Sequence, residues 1–161
     1  MLLNGEREIS PISPIEYVAH ADELILFPRL SITADWVVDS IQLISRQPIN
    51  QITSVALTGQ SATSVALLKI LLTQRYGIAP TYTPLTGDVT AALKDHDAVL
   101  LIGDQALKAC YQENWELTYD LGSEWKQFTG LPMVFALWAV RRGFFEQRPD
   151  GTFGVQERLL V

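Results

Sequence analysis

The segment from residue 54 to residue 77 constrains the fold more than any other part of this sequence. Residues 54–57 are a short apolar run typical of a buried strand, and residues 62–76 form a helix-length segment that is apolar almost all round. Such a helix must be sandwiched between other elements, because it has no polar face to turn toward water. Gly77 marks its end, since glycine is the preferred residue just past a helix.

Strands and helices alternate along the rest of the chain, with a turn predicted at Pro28. Ser13, Pro14 and Glu16 form a helix start in which the serine caps the first turn, and Asp88 caps a later helix. The predicted strands are 8–12, 23–27, 36–44, 80–83, 98–102, 116–119 and 133–140, and the predicted helices are 15–21, 89–94, 105–111 and 121–128. This alternation predicts an α/β protein with a mostly parallel sheet. Residues 141–161 show no helical period, only a turn signal at 149–151.

Charge and composition exclude several classes of function. The net charge of -6 and the absence of Lys and Arg clusters argue against nucleic-acid binding. Cys110 is the only cysteine, which excludes an internal disulfide and a cysteine metal cage, and we expect it to be a small buried residue. No metal or cofactor is predicted, and the apolar run at 65–72 is too short to cross a bilayer. The first residues do not resemble a signal peptide, so we expect a cytoplasmic protein.

The start of the apolar helix is the strongest candidate for a binding site. Residues 58–64 read Thr-Gly-Gln-Ser-Ala-Thr-Ser, so hydroxyl groups cluster where a strand passes into a helix. Free backbone N–H groups, the positive end of the helix dipole and these hydroxyls together can hold a carboxylate or phosphate. Ordinary helix capping by Ser and Thr is the alternative. A Gly-Lys-Ser/Thr ending is absent, which argues against a nucleoside triphosphate.

Two other strand ends carry groups that could face a ligand. Ser10 and Ser13 lie three residues apart at the end of the first strand, although Ser13 is also the predicted cap. Gly103 and Asp104 follow the apolar strand at 98–102, where Asp104 could either cap the next helix or contact a ligand. Ligands in open α/β sheets bind beyond the carboxyl ends of the strands, which is where these residues are predicted to lie.

Four segments, in order and at matching spacing, resemble the chorismate dehydratase family of menaquinone biosynthesis. They are residues 10–17 (SPISPIEY), 55–69 (VALTGQSATSVALLK), 101–107 (LIGDQAL) and 120–139 (DLGSEWKQFTGLPMVFALWA). The resemblance implies a fold like that of the type II periplasmic binding proteins, with two α/β lobes joined by crossing strands. Residues 1–45 and 132–161 would form lobe one, and residues 46–131 would form lobe two. Residues 133–140 would pair with residues 40–44 at the hinge.

The resemblance also implies roles for the candidate residues. The helix start, with Thr58, Ser61, Ala62, Thr63 and Ser64, would bind a substrate carboxylate. Gly103 and Asp104 are further predicted contacts of the substrate. Ser10 and Ser13 would face this group across the cleft. Ser40 matches a substrate-contacting serine of the family and is the predicted catalytic residue, although Trp36 and Val37 replace the Gly-Pro pair expected just before it.

The implied reaction is dehydration of chorismate to 3-[(1-carboxyvinyl)oxy]benzoate, with a substrate carboxylate as the base. A non-catalytic protein that binds small anions and an enzyme of the same pathway acting on a nucleoside are the alternatives. The family pattern has a first strand with an active-site Asn, and C-terminal helices, that find no match here. The resemblance therefore implies one incomplete lobe, weak or no turnover by this chain alone, and exposed apolar surface that a homo-oligomer would cover.

Overall fold

The computed structural model describes residues 2–112 and 115–147. Its strands are β1 (Ile9–Ile12), β2 (Leu24–Ala34), β3 (Ile41–Ser45), β4 (Ser54–Leu57), β5 (Thr81–Pro84), β6 (Ala98–Ile102), β7 (Leu117–Asp120) and β8 (Met133–Arg141). Its helices are α1 (Pro14–Ala19), α2 (Ala62–Ile70), α3 (Val89–Asp95), α4 (Gly103–Gln112), α5 (Leu121–Thr129) and α6 (Arg142–Gln147). A 3-10 turn at Ile49–Gln51 precedes β4, and a π-helical turn at Leu71–Arg75 continues α2. The turn predicted at residues 149–151 lies outside the described residues.

The chain divides into two compact units. The first unit combines the segment before Ala34 with the segment after Met133, and the second unit is Ala34–Met133. The prediction placed residues up to 45 in the first lobe, but β3 lies in the second unit. The reason is its pairing, because β3 is bonded to β6 on one side and β7 on the other.

The second unit is built on a five-stranded sheet in the order β5-β4-β6-β3-β7. Strands β5, β4 and β6 are parallel, whereas β3 is antiparallel to both of its neighbours. Four of the five strands thus run in the same direction, as a mostly parallel sheet requires, and β3 alone runs against them. Every residue of β3 is buried, as expected for a central strand covered on both faces.

Helix α2 and its π-helical continuation contain four buried leucines, and this helical segment ends before Gly77 as predicted. Leu67, Leu68, Leu71 and Leu72 are at most 1% exposed, so they bury nearly all of their apolar surface. The helix is less completely enclosed than its sequence indicated, because Ile70 is 42% exposed. Gly77 has a φ of 66°, the left-handed conformation that glycine adopts past a helix end.

The first unit contains a three-stranded sheet in the order β1-β8-β2. Strand β8 is antiparallel to β1, with Ile9 opposite Val140 and Ile12 opposite Leu137. Strand β2 continues through Pro28, where a turn was predicted, because β2 is an edge strand and an edge tolerates a residue without an N–H group. Helix α1 begins as predicted, since the Ser13 side chain accepts a hydrogen bond from the Glu16 N–H.

The predicted pairing of β8 with residues 40–44 is wrong. Strand β3 has no free side, because Ile41 lies opposite Ile102 and Gln42 lies opposite Asp120. Strand β8 instead lies between β1 and β2. The chain passes between the units at the end of β2 and at the start of β8, so these two paired strands take the place of the predicted pair.

Candidate functional site

The strand directions of the second unit bring most of the predicted site residues to one edge of its sheet. The carboxyl ends of β4, β6 and β7 and the amino end of β3 lie at this edge. We call this end of the sheet the carboxyl edge, meaning the side where these strands end and not an outermost strand. It is defined by the residues next to those strand ends, namely Ser40, Thr58, Ser61, Ala62, Thr63, Ser64, Gly103, Asp104 and Asp120. It is the edge at which α/β proteins bind their ligands.

Ser61 caps helix α2. Its Oγ accepts a hydrogen bond from the Ser64 N–H at 3.2 Å and lies 2.9 Å from the Ser64 Oγ. Its backbone is extended, and its carbonyl accepts the Val65 N–H at 3.2 Å. The capping interpretation therefore holds for Ser61, although a cap and an anion ligand are compatible because a hydroxyl both donates and accepts.

Thr63 is the most informative residue of this helix start. Its side chain is 3% exposed, and its Oγ1 has no hydrogen-bond partner within the described residues. The N–H groups of Ala62 and Thr63 are at the first helical positions and have no acceptor in the preceding turn. A buried hydroxyl without a partner costs free energy, so Thr63 holds a hydrogen-bond donor that no described residue uses.

The loop before α2 is open on one side. Thr58 is 5% exposed, and its Oγ1 accepts the Gln60 N–H at 3.3 Å, which shapes the turn. Gly59 is exposed, and a Cβ added there would meet nothing within 4 Å. A ligand carboxylate could approach the helix start across Gly59 without displacing a side chain.

Ser40 and Gly103 are joined directly. The Gly103 N–H donates to the Ser40 carbonyl at 2.7 Å, and Gly103 has a φ of 58°, which favours glycine. Asp104 is exposed and lies in the first turn of α4. Of the two alternatives for Asp104, the capping role is wrong, because α4 already begins at Gly103, and the substrate contact remains a prediction.

Asp120 is a member of this edge that the sequence interpretation missed. Its carboxylate caps α5 by accepting the Ser123 N–H at 2.9 Å. It also accepts the Val38 and Asp39 N–H groups and the Gln42 side-chain amide, at 3.1, 2.8 and 2.7 Å. The sequence signal for the cap was an Asp directly before the helix, but contacts across about 80 positions leave no local signal.

The thiol of Cys110 on α4 is affected by the negative charge near this edge. Burial raises the pKa of its thiol, and the negative charges of Asp120 and Asp39 raise that pKa further. The thiol therefore stays protonated at neutral pH. Cys110 is half-buried, so the expectation of full burial is wrong.

Ser10 and Ser13 lie together in the first unit. Both line a cavity of about 630 Å³ whose apolar wall includes Leu2, Leu3 and Ile12. Ser10 Oγ donates to the Pro11 carbonyl at 3.1 Å, and Ser13 Oγ accepts the Glu16 N–H at 3.1 Å. Their predicted position opposite the start of α2 remains a prediction.

The part of the chain that the structure describes holds neither a candidate metal cluster nor a candidate membrane span. Within it, no group of three or more His, Cys, Asp or Glu side chains is arranged to hold a metal ion. Within the same residues, no helix has the length and apolar character needed to cross a bilayer.

Fold and site together define a two-unit α/β protein whose second unit presents hydroxyl groups and free N–H groups at a sheet edge. The chain belongs to the menaquinone biosynthesis family, whose sequence model matches residues 1–157. It is 40% identical over 157 residues to the chorismate dehydratase of Thermus thermophilus, a match covering 88% of this chain and 57% of that protein. The chain thus spans somewhat more than half the length of this relative.

Solved structures show the fold. Protein AF1704 from Archaeoglobus fulgidus is similar with a TM-score of 0.58 at 21% identity, over 96% of this chain and 64% of that chain. The ATP phosphoribosyl transferase complex from Thermotoga maritima is similar with a TM-score of 0.54 at 12% identity, over 99% of this chain and 71% of that chain. The predicted fold class, α/β in two lobes, is confirmed.

Proposed function

We propose that this chain carries out the chorismate dehydratase reaction, a carbon–oxygen lyase step of the futalosine route to menaquinone. The observation that supports this choice of reaction is the 40% identity to the Thermus thermophilus chorismate dehydratase. The carboxyl edge supplies matching chemistry, because chorismate carries two carboxylates and the start of α2 offers donors to one of them. The cytoplasmic location and a homo-oligomeric state belong to this proposal.

In the proposed reaction, a ring carbon of chorismate loses a proton and the neighbouring carbon loses hydroxide. The products are water and 3-[(1-carboxyvinyl)oxy]benzoate, and aromatisation of the ring drives the step. The protein binds one carboxylate at Thr63 and the Ala62 N–H, while Ser40 and Gly103 contact the ring side of the ligand. Binding in one orientation and exclusion of water are the main contributions of such a site.

The base in this proposal is a carboxylate of the substrate itself. His96 is engaged elsewhere, since its Nε2 lies 2.6 Å from Thr83 Oγ1 and its Nδ1 lies 3.0 Å from the Ala92 carbonyl oxygen. It also precedes β6, which places it at the opposite edge of the sheet from Gly103. His20 belongs to the first unit and pairs with Glu23 at 2.9 Å.

A non-catalytic protein that binds small anions is the second candidate. The observation that favours it is that the Ser61 and Ser64 hydroxyls already bond to each other, and that the Ser61 hydroxyl also accepts the Ser64 N–H. Such a site could hold a carboxylate and still lack a group that moves a proton.

Ultraviolet spectroscopy separates the two candidates, because the aromatic product absorbs differently from chorismate. We expect the purified chain to bind chorismate by calorimetry and to produce the aromatic ether, at the low rate that the resemblance implies for this chain alone. Benzoate, with one carboxylate, is the control and should bind more weakly. Binding without the spectral change would favour the anion-binding candidate, and no binding of chorismate would contradict both.

A further inference from the structure

The loop before β3 contains a strained turn next to Ser40. Asp39 has a φ of 55°, and the Ser40 N–H donates to the Val38 carbonyl at 2.5 Å, which makes residues 38–40 a γ-turn with a left-handed central residue. This conformation is unfavourable for any residue other than glycine, although Asp tolerates it better than most. Strained backbone of this kind persists only when the surroundings hold it.

Two side chains hold the turn from both sides of Asp39. The Asp120 carboxylate accepts the Val38 and Asp39 N–H groups at 3.1 and 2.8 Å. The Gln42 side-chain amide donates to the Asp39 carbonyl at 3.2 Å and to the same Asp120 carboxylate at 2.7 Å. Gln42 is 6% exposed and its two bonds are part-buried, so water competes with them less than with fully exposed bonds.

The approach of α5 to this loop is unusually close. A Cβ added to Gly122 would lie 2.4 Å from the Trp36 carbonyl oxygen and 3.3 Å from the Val38 Cβ. Glycine at this position therefore lets the loop approach the start of α5, where Asp120 is the cap. The Lys126–Asp35 ion pair at 2.5 Å ties the same loop to α5 one turn further on.

Ser40 is fixed by its backbone, while its side chain is not. Its N–H closes the γ-turn, and its carbonyl accepts the Gly103 N–H at 2.7 Å. No side-chain hydrogen bond of Ser40 occurs within the described part of the chain, and the residue is half-buried. The backbone of Ser40 is thus held in place, and its hydroxyl keeps its hydrogen-bonding capacity available.

We propose that Asp120 is the positioning residue for Ser40, whose hydroxyl it presents at the carboxyl edge by holding the left-handed turn at Asp39. The part of this inference that concerns the turn does not depend on the proposed function. Only the identity of the ligand that Ser40 contacts rests on the proposed function. The structural alternative is that Asp120 serves α5 alone as a helix cap. Asp88 offers a matched comparison, because it caps α3 by accepting the Ala91 N–H at 2.7 Å, and it is not among the groups that hold this turn.

The test compares Asp120→Ala with Asp88→Ala in the full chain, by amide hydrogen exchange and by steady-state kinetics with chorismate. We expect Asp120→Ala to expose the Val38 and Asp39 amides to fast exchange and to lower kcat by roughly 10²-fold, the loss typical of a misplaced group. KM should change little, because the start of α2 stays intact. Asp88→Ala should leave kcat, KM and the exchange of both amides near wild-type values.

Gln42→Met serves as a second variant if Asp120→Ala does not fold, since it removes one donor and keeps the cap of α5. It should lower kcat by less than Asp120→Ala and speed exchange at Asp39. Unchanged exchange at Val38 and Asp39, or a kcat that matches Asp88→Ala, would overturn the proposal. If the wild-type chain does not act on chorismate, the proposed function fails, and the exchange measurement alone decides whether Asp120 holds the turn.

Discussion

Replacing Thr63 by valine should make the protein more stable. Valine has nearly the shape of threonine, so the change removes the Oγ1 hydroxyl without creating a cavity. That hydroxyl is buried and has no partner among the described residues. A buried polar group without a partner costs about 1–3 kcal/mol, so the free energy of unfolding should rise by about 1 kcal/mol. For a chain of this size, the melting temperature should rise by about 2–4 °C.

The same substitution should weaken the binding of chorismate. If Thr63 Oγ1 donates to a carboxylate, its loss removes a hydrogen bond to a charged group, worth about 1.5–3 kcal/mol. The dissociation constant should then rise about 10- to 150-fold. Differential scanning calorimetry measures the stability, and isothermal titration calorimetry measures the affinity. Opposite signs of the two effects distinguish a ligand-binding hydroxyl from a structural one.

Thr129→Val is the matched control. The Thr129 Oγ1 donates to the Trp125 carbonyl at 2.9 Å and accepts the Leu131 N–H at 3.1 Å, so its removal should lower stability. It should not change chorismate affinity. The reasoning about Thr63 is refuted if Thr63→Val loses stability as Thr129→Val does and binds chorismate as tightly as the wild type.

Three further perturbations test other parts of the structure. The double change Ser61→Ala and Ser64→Ala should weaken chorismate binding by roughly 1–3 kcal/mol in titration calorimetry, and unchanged affinity would leave both residues as caps only. Hydrogen bonds from the Thr53 side chain and backbone lower the pKa of Asp97 below its ordinary value of 3.8. The charged Asp97 therefore stabilises the fold above pH 3.8, and this stabilisation is lost as the pH falls through the lowered pKa. Because water screens a carboxylate this accessible, Asp97→Ala should cost only about 1 kcal/mol in urea unfolding at pH 7, and less at pH 3. Gly122→Ala should cost about 1–3 kcal/mol, because its Cβ would meet backbone, and an unchanged urea midpoint would argue against the close approach of the loop.

Local signals predicted the elements of this fold well. The caps at Ser13 and Asp88 and the glycine at Gly77 lie where the sequence placed them, because capping depends on a few neighbouring residues. Strand β6 has the predicted bounds, since a continuous apolar run between polar residues fixes both of its ends. The gathering of Thr58, Ser61 and Gly103 at one edge also follows from the parallel pairing of β4 and β6.

Local sequence patterns did not predict which distant segments of the chain pair with each other. The partner of β8 depends on β3 already being paired on both sides, which no pattern within either strand encodes. The turn predicted at Pro28 is wrong for the same reason. A strand accepts proline at the edge of a sheet, and the local sequence does not show that β2 lies at an edge. The role of Asp120 was missed for a similar reason, since its partners Val38 and Gln42 are 82 and 78 positions away.

A crystal structure of the chain with chorismate tests the central claim most directly. The account predicts that a carboxylate oxygen of the ligand lies within about 3 Å of Thr63 Oγ1 and of the Ala62 N–H, the distance of a charge-assisted hydrogen bond. Ser40 should lie on the ring side of the same ligand. A structure with both carboxylates bound elsewhere and nothing at the start of α2 would contradict the account.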